Sequence, residues 1–342
     1  MDEAVGLVRN GDRVMGGMPE PAAFLEALGA RRDLSDVSLY LNAPRSGGVA
    51  VAANPGITLY AAFLTDALRV AKLPVEVLPV HFSGAPAFFR RWRPRVRVVL
   101  VAEPTDDGVV HPGATIANDD ELVNGERPDD SVVIGIVDPN QPRLRGHTFR
   151  VESFDVLVPL PHDTAPPFYD PRRVSPHLDA FVAAIDDLIP DGSTMQSGVG
   201  GLPELIVGRL GHKRDLGVHT EVMGPGMASL LGSGAVTNRL KTLYPGDSIF
   251  TIALPETIPI LLADPMARLE RAEIVLDSRE IAKNYQLRCI NAVLQVDLLG
   301  QGNAEMINGQ QFSGVGGQLD FLRACTMADD ALSILEIGRA HV

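Results

Sequence analysis

The stretch VRVVLVAE, residues 96–103, is apolar at almost every position and ends on a carboxylate. A second stretch of the same kind, SVVIGIVD, occupies residues 131–138. Near-continuous runs of Val, Leu and Ile predict strands that are buried on both faces, as in a parallel sheet covered by helices. Four further strand-like runs are DRVMGG (12–17), VSLYLNA (37–43), VEVLPVHF (75–82) and FDVLVPL (154–160). Together they predict an α/β fold with a mostly parallel sheet.

Helical spacing separates some of these strands and recurs in the second half of the chain. The segments PAAFLEALGARR (21–32) and TLYAAFLTDALRVAK (58–72) are read as helices. The stretch DTAPPFYDPRRVSP, residues 163–176, has four prolines and few apolar anchors, which is typical of a domain boundary. We therefore expect an α/β domain over 1–165, a linker over 166–176, and over 177–335 a second α/β domain that is incomplete at its end.

The last residues, EIGRAHV (336–342), resemble a translated sequencing adapter. They are either a non-native tail, which is the interpretation adopted for the domain division, or a genuine polar tail. In the first case the natural protein continues beyond this chain.

The composition limits the classes of partner and compartment. The net charge is −13 and the pI is about 5.0, which argues against nucleic acid as the main partner. The basic run RRWRPRVR (90–97) is read as a helix end or strand edge; a nucleic-acid patch or a rim for an anionic cofactor are the alternatives. The two cysteines and eight histidines show no metal-ligand spacing, so no metal is expected. Without a signal peptide or a membrane-length apolar run, we expect a cytoplasmic protein with no membrane partner.

The pentapeptide SGVGG occurs twice, at Ser197–Gly201 and at Ser313–Gly317. Each copy precedes a helix-like run, and neither completes the G-x-G-x-x-G dinucleotide fingerprint, because Pro203 and Leu319 stand where the third glycine is needed. Each copy is either a plain strand-to-helix connection or a turn that offers backbone N–H groups to a carboxylate, a phosphate or an oxyanion.

Between the two turns lies GVHTEVMGPGM, residues 217–227. Glu221 ends a strand-like run there, at the sheet edge where parallel α/β folds form their sites. It is either a solvated loop residue or a catalytic carboxylate, and His219 and Thr220 are equally ambiguous.

Four ordered motifs resemble the acetyl-CoA hydrolase/transferase family, and within it the 4-hydroxybutyrate CoA-transferase branch. They are QSGVGGLPELIV (196–207), LGVHTEVM (216–223), INAVLQVDLLGQ (290–301) and QFSGVGGQLDF (311–321). The first half of the chain matches the family more loosely. The resemblance implies two CoA-transferase-like α/β domains.

The resemblance also implies a ping-pong exchange of CoA between carboxylic acids, with Glu221 as the nucleophile. It implies backbone donors at Gly316 and Gly317 for the oxyanion, and a side-chain amide from Asn291. Substrate or CoA contacts are implied for Gly198, Gly200, Gly201, Gln311 and Gly314. A carboxylate nucleophile has to stay ionised, so we expect donors around Glu221 rather than an apolar box.

The implied partners are acyl-CoA and small carboxylic acids, which are substrates; no permanently bound cofactor is expected. The family suggests a homodimer or a higher homo-oligomer. The alternatives are an acyl-CoA hydrolase of the same fold, in which water intercepts the intermediate, and an inactive or binding-only fragment.

Overall fold

The computed structural model describes residues 1–161, 178–199 and 201–337. These residues form two compact units. The first comprises residues 1–143, 147–161 and 307–316, and the second comprises the remaining described residues. The linker predicted at 166–176 lies outside the described residues.

The segment 307–316 belongs to the first unit, although the sequence assigned it to the second domain. Backbone hydrogen bonds explain this. The N–H of Leu64 donates to the carbonyl of Ser313 at 3.4 Å, and the N–H of Phe82 donates to the carbonyl of Gly316 at 3.2 Å. A linear division of the chain could not anticipate such a return.

The first unit is built on a seven-stranded sheet whose neighbouring strands are all parallel, with strand order β4-β3-β2-β1-β5-β6-β7. Most side chains of β5 and β6 are buried, as their apolar sequences require. The expected α/β fold with a mostly parallel sheet is confirmed. The strands are β1 (Arg13–Gly16), β2 (Val37–Leu41), β3 (Ile57–Ala61), β4 (Glu76–Val77), β5 (Val96–Val101), β6 (Val132–Val137) and β7 (Val156–Pro159).

Among the helices of this unit, the first precedes β1, and the others lie in the connections between successive strands of the sheet. They are α1 (Asp2–Gly6), α2 (Ala22–Ala30), α3 (Ser46–Ala52), α4 (Asp66–Ala71), α5 (Ala85–Trp92) and α6 (Asp119–Val123), with 3₁₀ turns at Phe82–Gly84 and Val151–Ser153. Two short antiparallel strands, Val109–Val110 and Phe149–Arg150, pair outside the sheet.

The helix predicted over 58–72 is wrong in its first part. Residues Ile57–Ala61 form β3, and only Asp66–Ala71 is helical. A short apolar run has no periodicity that separates a buried strand from a buried helix. The strand is favoured here because β3 pairs with β2 along its full length.

The basic run 90–97 contains the end of α5 and the start of β5. The guanidinium of Arg95 forms an ion pair with Asp12 at 2.6 Å. Arg97 is only 2% exposed and donates to backbone carbonyls, among them that of Glu126 at 2.6 Å. These two arginines therefore link separate segments of the first unit.

The second unit contains a four-stranded parallel sheet with strand order β9-β8-β14-β15, within the part of the chain that the structure describes. Two parallel pairs, β10 with β12 and β11 with β13, accompany it. The strands are β8 (Thr194–Ser197), β9 (Gly217–Val218), β10 (Val222–Met223), β11 (Ser248–Phe250), β12 (Ile252–Ala253), β13 (Ala267–Leu269), β14 (Leu287–Ala292) and β15 (Leu332–Glu336).

The helices of the second unit include one after each glycine turn, as predicted. They are α7 (Leu178–Asp186), α8 (Gly201–Val207), α9 (Pro225–Ser233), α10 (Ile258–Ala263), α11 (Ala272–Val275), α12 (Ser278–Ile281) and α13 (Gln318–Met327), with a 3₁₀ turn at Pro255–Thr257. An antiparallel ribbon joins Gln295–Val296 to Gly302–Asn303. The short strands Met306–Ile307 and Gln310–Gln311 follow it in sequence.

The tail predicted to start at Glu336 begins inside β15, and the carbonyl of Glu336 accepts the N–H of Val293 at 2.9 Å. Residues 338–342 lie outside the described residues. A search of the described helices finds none with the length and apolar character needed to cross a bilayer.

Candidate active site

Glu221 lies between β9 and β10, where the backbone is held on both sides. Its carbonyl oxygen accepts two N–H groups, from Thr251 and Ile252, each at 3.0 Å. The preceding residue, Thr220, donates its N–H to the carbonyl of Ile249 at 3.1 Å. The backbone that carries the Glu221 side chain is therefore fixed by strands β11 and β12.

The carboxylate of Glu221 meets the second glycine turn. Its Oε2 accepts the N–H of Gly317 at 3.0 Å, and Gly317 is the N-cap residue of α13. A helix start carries partial positive charge, so this position favours a carboxylate. The predicted pairing of Glu221 with a backbone donor of this turn is thus present in the geometry.

The lack of space for a side chain at residue 317 explains why this residue is a glycine. A Cβ built there would lie 2.4 Å from Oε2 of Glu221 and 2.9 Å from Cδ2 of Leu276. The φ angle of Gly317 is −100°, which any residue adopts, so the requirement is steric rather than conformational. Only glycine lets the carboxylate approach this N–H so closely.

Burial is the largest effect and raises the pKa of Glu221; the hydrogen bond from Gly317 lowers it, and the nearby negative charge of Asp320 raises it, so that together they move the pKa from 4.5 to about 7. Near pH 7 the group is therefore about half ionised. The sequence predicts donors around an ionised Glu221 rather than an apolar box. In the structure burial raises the pKa of Glu221, and the Gly317 N–H donates to its Oε2.

The first glycine turn packs against Asn291. The N–H of Gly198 donates to the carbonyl of Ile290 at 2.7 Å, and a Cβ at Gly198 would lie 2.7 Å from Oδ1 of Asn291. Gly201 is the first residue of α8. Gly200, also expected in this wall, lies outside the described residues.

The side chain of Asn291 forms a reciprocal pair with that of Gln196, and both are buried. Nε2 of Gln196 donates to Oδ1 of Asn291 at 3.1 Å, and Nδ2 of Asn291 donates to Oε1 of Gln196 at 2.9 Å. One amide proton of Asn291 is thus engaged within the protein, and the oxyanion role suggested for this residue stays a prediction. Gln196 was not predicted as a site residue, although it opens the QSGVGG motif.

We expect this amide pair to contribute to stability. Replacing either Gln196 or Asn291 by Ala leaves a buried amide without its partner, which costs about 1–3 kcal/mol. The double variant should lose less than the sum of the single variants, because the second change removes the group that the first left unpaired. Urea unfolding of the four proteins measures this coupling; strictly additive losses would contradict it.

Thr220 links the two groups of residues. Its hydroxyl lies 3.2 Å from the carbonyl oxygen of Ser197 and 3.4 Å from the Ser197 nitrogen, whose N–H it accepts. Ser197 ends β8 and precedes Gly198, and Thr220 precedes Glu221. The first turn and the carboxylate are therefore connected through one side chain.

Glu204 is a second residue that sequence reasoning missed. It is buried in α8, and its Oε2 accepts the N–H of Gly226 at 2.8 Å, at the start of α9. A Cβ at Gly224 would lie 2.0 Å from Oε1 of Glu204. The glycines of the segment that follows β10 therefore make room for this carboxylate.

Gln311, Gly314 and Gly316 belong to the first unit. Nε2 of Gln311 donates to the carbonyl of Ser313 at 2.8 Å. A Cβ at Gly314 would lie 2.1 Å from the carbonyl oxygen of Ala62, and Gly316 has a φ of +58°, which favours glycine. The substrate and donor roles suggested for these three residues stay predictions.

Within the described ranges, no three His, Cys, Asp or Glu side chains are grouped so that they could hold a metal ion. The chemistry that the geometry offers is that of a carboxylate nucleophile beside a backbone N–H donor.

Comparison with known proteins identifies similar chains. A family model described as the acetyl-CoA hydrolase/transferase C-terminal domain matches residues 259–340. The chain is 30% identical to succinyl-CoA:cyclohexane-1-carboxylate CoA transferase of Geobacter metallireducens, over 96% of this chain and 76% of that protein. It is also 30% identical to 4-hydroxybutyrate coenzyme A transferase of Clostridium kluyveri, over 77% of this chain but only 61% of that protein.

Two solved structures are similar to this chain as well. RipA of Yersinia pestis superposes with a TM-score of 0.87 at 30% identity, over 97% of this chain and 80% of that chain. A 4-hydroxybutyrate CoA-transferase of Porphyromonas gingivalis superposes with a TM-score of 0.76 at 23% identity, over 98% of this chain and 79% of that chain. The second likeness concerns the fold alone.

Proposed function

Because this chain belongs to the acetyl-CoA hydrolase/transferase family and is a CoA-transferase of that family, we propose that it moves coenzyme A between carboxylic acids through Glu221. The observation that carries this proposal is the hydrogen bond from the Gly317 N–H to Oε2 of Glu221, 3.0 Å long, at the start of α13. This contact supports the proposal, because a carboxylate nucleophile beside a fixed backbone N–H is what the reaction requires.

The proposed reaction proceeds in two halves. The Glu221 carboxylate attacks the thioester carbonyl of an acyl-CoA and expels CoA thiolate, which leaves an acyl-glutamyl anhydride. The thiolate then attacks the glutamyl carbonyl and releases the first carboxylate, which leaves a glutamyl-CoA thioester. A second carboxylate reverses these steps and departs as the new acyl-CoA, so atoms and charge balance over the cycle.

In this proposal the N–H of Gly317 stabilises the oxyanion that forms when CoA thiolate attacks the glutamyl carbonyl. When the thiolate attacks the glutamyl carbon, negative charge develops on the glutamyl oxygen that already accepts the Gly317 N–H. A donor that is fixed at this position needs no rearrangement when the charge appears. The charge at the start of α13 acts in the same direction.

The substrates are proposed from the names of relatives. We propose an acetate- or 4-hydroxybutyrate-type exchange, since relatives are named for 4-hydroxybutyrate and for butyryl-CoA and acetate. A cytoplasmic homodimer or higher homo-oligomer is part of the same proposal, from the family resemblance.

The pH dependence of the rate should report the ionisation of Glu221. Since burial raises its pKa to about 7, the reactive carboxylate is lost as the pH falls below that value. We expect kcat/KM to be level above pH 8 and to fall about tenfold per pH unit below pH 6. Initial rates at saturating acceptor from pH 5 to 9 measure this, and a level profile down to pH 5 would contradict it.

Intact mass spectrometry tests the function directly. The protein is incubated with acetyl-CoA, butyryl-CoA or succinyl-CoA, with and without a carboxylate acceptor. We expect a covalent adduct of the mass of CoA less water, absent from Glu221→Ala, and new acyl-CoA only when acceptor is added. Steady thiol release without acceptor would instead indicate the hydrolase. No adduct on the folded protein with any of these donors would overturn the nucleophilic role of Glu221.

Comparison of Asn291→Ala with Gln196→Ala separates the two roles of the amide pair. Both variants lose the reciprocal hydrogen bonds. If the second amide proton of Asn291 also contacts the oxyanion, the kcat of Asn291→Ala should fall further, by about 10²-fold relative to Gln196→Ala. Equal values of kcat would limit Asn291 to a structural role.

A further inference from the structure

His219 lies two residues before Glu221 and is completely buried, with both ring nitrogens engaged. Nδ2 of Asn284 lies 2.9 Å from Nδ1, and Nε2 lies 2.8 Å from the carbonyl oxygen of Val275. The amide of Asn284 is oriented by two further contacts, since its Nδ2 donates to Ile281 and its Oδ1 accepts from Leu243. An amide nitrogen can only donate, so Nδ1 accepts and the proton is on Nε2, which donates to Val275.

Two contacts of the imidazole, one at Nε2 and one at the ring, lead to residues beside Gly317. Val275 ends α11, and the next residue, Leu276, is the one whose Cδ2 would be 2.9 Å from a Cβ at Gly317. The ring of His219 also meets the ring of Phe321 edge to face, with 6.0 Å between centroids. Phe321 is in the first turn of α13, and its N–H donates to the carbonyl of Gly317 at 3.4 Å.

We infer that His219 is a positioning residue: its neutral imidazole joins the Glu221 segment to Val275 and Phe321, and thereby holds the N–H of Gly317 against the Glu221 carboxylate. The inference rests on the proposed function, in which Glu221 is the nucleophile. His219 acts through Gly317 and has no contact with the reacting atoms in this assignment.

The charge state of His219 makes the inference testable. Burial is the largest effect and lowers the pKa of His219; the nearby positive charge of Lys241 also lowers it and the hydrogen bond to Val275 raises it, so that together they move the pKa to about 3. The ring is therefore neutral wherever Glu221 titrates. Burial is the largest cause that raises the pKa of Glu221; the Gly317 N–H lowers this pKa and the charge of Asp320 raises it. Because His219 is neutral there, a changed Glu221 titration in a His219 variant does not come from the loss of a positive charge, and a shift that accompanies a displaced Gly317 N–H is what the inference expects.

The main test is the titration of Glu221 in His219→Phe, which removes both hydrogen bonds and keeps an aromatic ring near Phe321. The Glu221 carboxyl is followed by ¹³C NMR in protein labelled at glutamate, and its signal is assigned with Glu221→Gln. We expect its titration midpoint to rise by about half to one pH unit, because the hydrogen bond from Gly317 that favours the charged form weakens. In kinetics, kcat should fall about 10- to 100-fold with KM changed less than about threefold, and the acid limb of kcat/KM should move to higher pH.

Two variants provide the comparison. His219→Gln retains a donor near the position of Nε2 and should restore most of the titration midpoint and of kcat. Ile189→Val shortens a fully buried side chain that follows α7; it should lower stability modestly and leave the Glu221 midpoint unchanged. A purely structural role of His219 would lower the activity of His219→Phe by the same factor at every pH.

The inference would be overturned if the titration midpoint of Glu221 in His219→Phe equalled that of the wild-type protein. If that variant does not fold, Phe321→Leu tests the same link from the side of α13 and should shift the midpoint in the same direction; no shift there would overturn the inference equally. Failure of the proposed function is distinguishable, because the NMR titration needs no substrate, whereas absence of a CoA adduct on the wild-type protein concerns Glu221 alone.

Discussion

Replacement of Glu221 with glutamine is expected to lower the rate of CoA transfer by on the order of 10⁴-fold or more, since an amide cannot form the anhydride or the thioester. The local geometry should persist, because the glutamine oxygen still accepts the N–H of Gly317. Steady-state transfer assays and intact mass spectrometry measure the loss of turnover and of the CoA adduct. Residual activity within tenfold of wild type would mean that another group is the nucleophile.

The same variant should be more stable than the wild-type protein at alkaline pH. The pKa of Glu221 is raised in the folded state, so its contribution to stability is full below about pH 4.5 and is lost as the pH rises through about 7. Glutamine has no charge to desolvate. The Glu221 side chain is half-buried, so solvent screening reduces the effect. We expect a gain on the order of 1–2 kcal/mol at pH 8 and none at pH 4. Thermal unfolding at the two pH values checks the sign.

Replacement of Gly317 with alanine is expected to lower kcat by about 10²–10³-fold. The added methyl group would lie 2.4 Å from Oε2 of Glu221, so the carboxylate has to leave the N–H that stabilises it. The pKa of Glu221 should rise as well, because a hydrogen bond to its charged form is lost. Steady-state rates across pH measure both effects.

Gly232→Ala is the matched control for this variant. Gly232 lies in α9, has no left-handed φ, and a Cβ there meets no atom within 4 Å. Alanine is the better helix former, so Gly232→Ala should retain full activity and gain a little stability. If kcat of Gly317→Ala equalled that of the wild-type protein, the close approach of the Gly317 N–H to Oε2 of Glu221 would have no role in the reaction.

Much of the second unit followed from local sequence patterns. Both glycine turns were expected to precede helices, and α8 and α13 begin there. Glu221 was expected at the end of a strand-like run, and it lies between two short strands. These features depend on glycine, proline and apolar periodicity over a few neighbouring residues, which a single sequence displays directly.

What could not be predicted depends on distant contacts. The pKa of Glu221 is set by burial among residues far away in the chain. The pairing of Gln196 with Asn291 spans 95 positions, and the register of β8 with β14 creates it. Likewise, the prediction of a helix over β3 is wrong because the pairing of β3 with β2 is not visible in the periodicity of its own sequence. His219 stayed ambiguous, because a buried imidazole reveals its partners only once the strands are assembled.

The return of residues 307–316 to the first unit has a practical consequence for gene design. A fragment encoding residues 1–161 lacks the carbonyl groups that Leu64 and Phe82 use, and a fragment starting at residue 178 carries ten residues that belong elsewhere. The two units are thus interleaved in the reading frame, and no single cut separates them. A gene designed to encode the first unit alone therefore has to supply residues 307–316 together with residues 1–161.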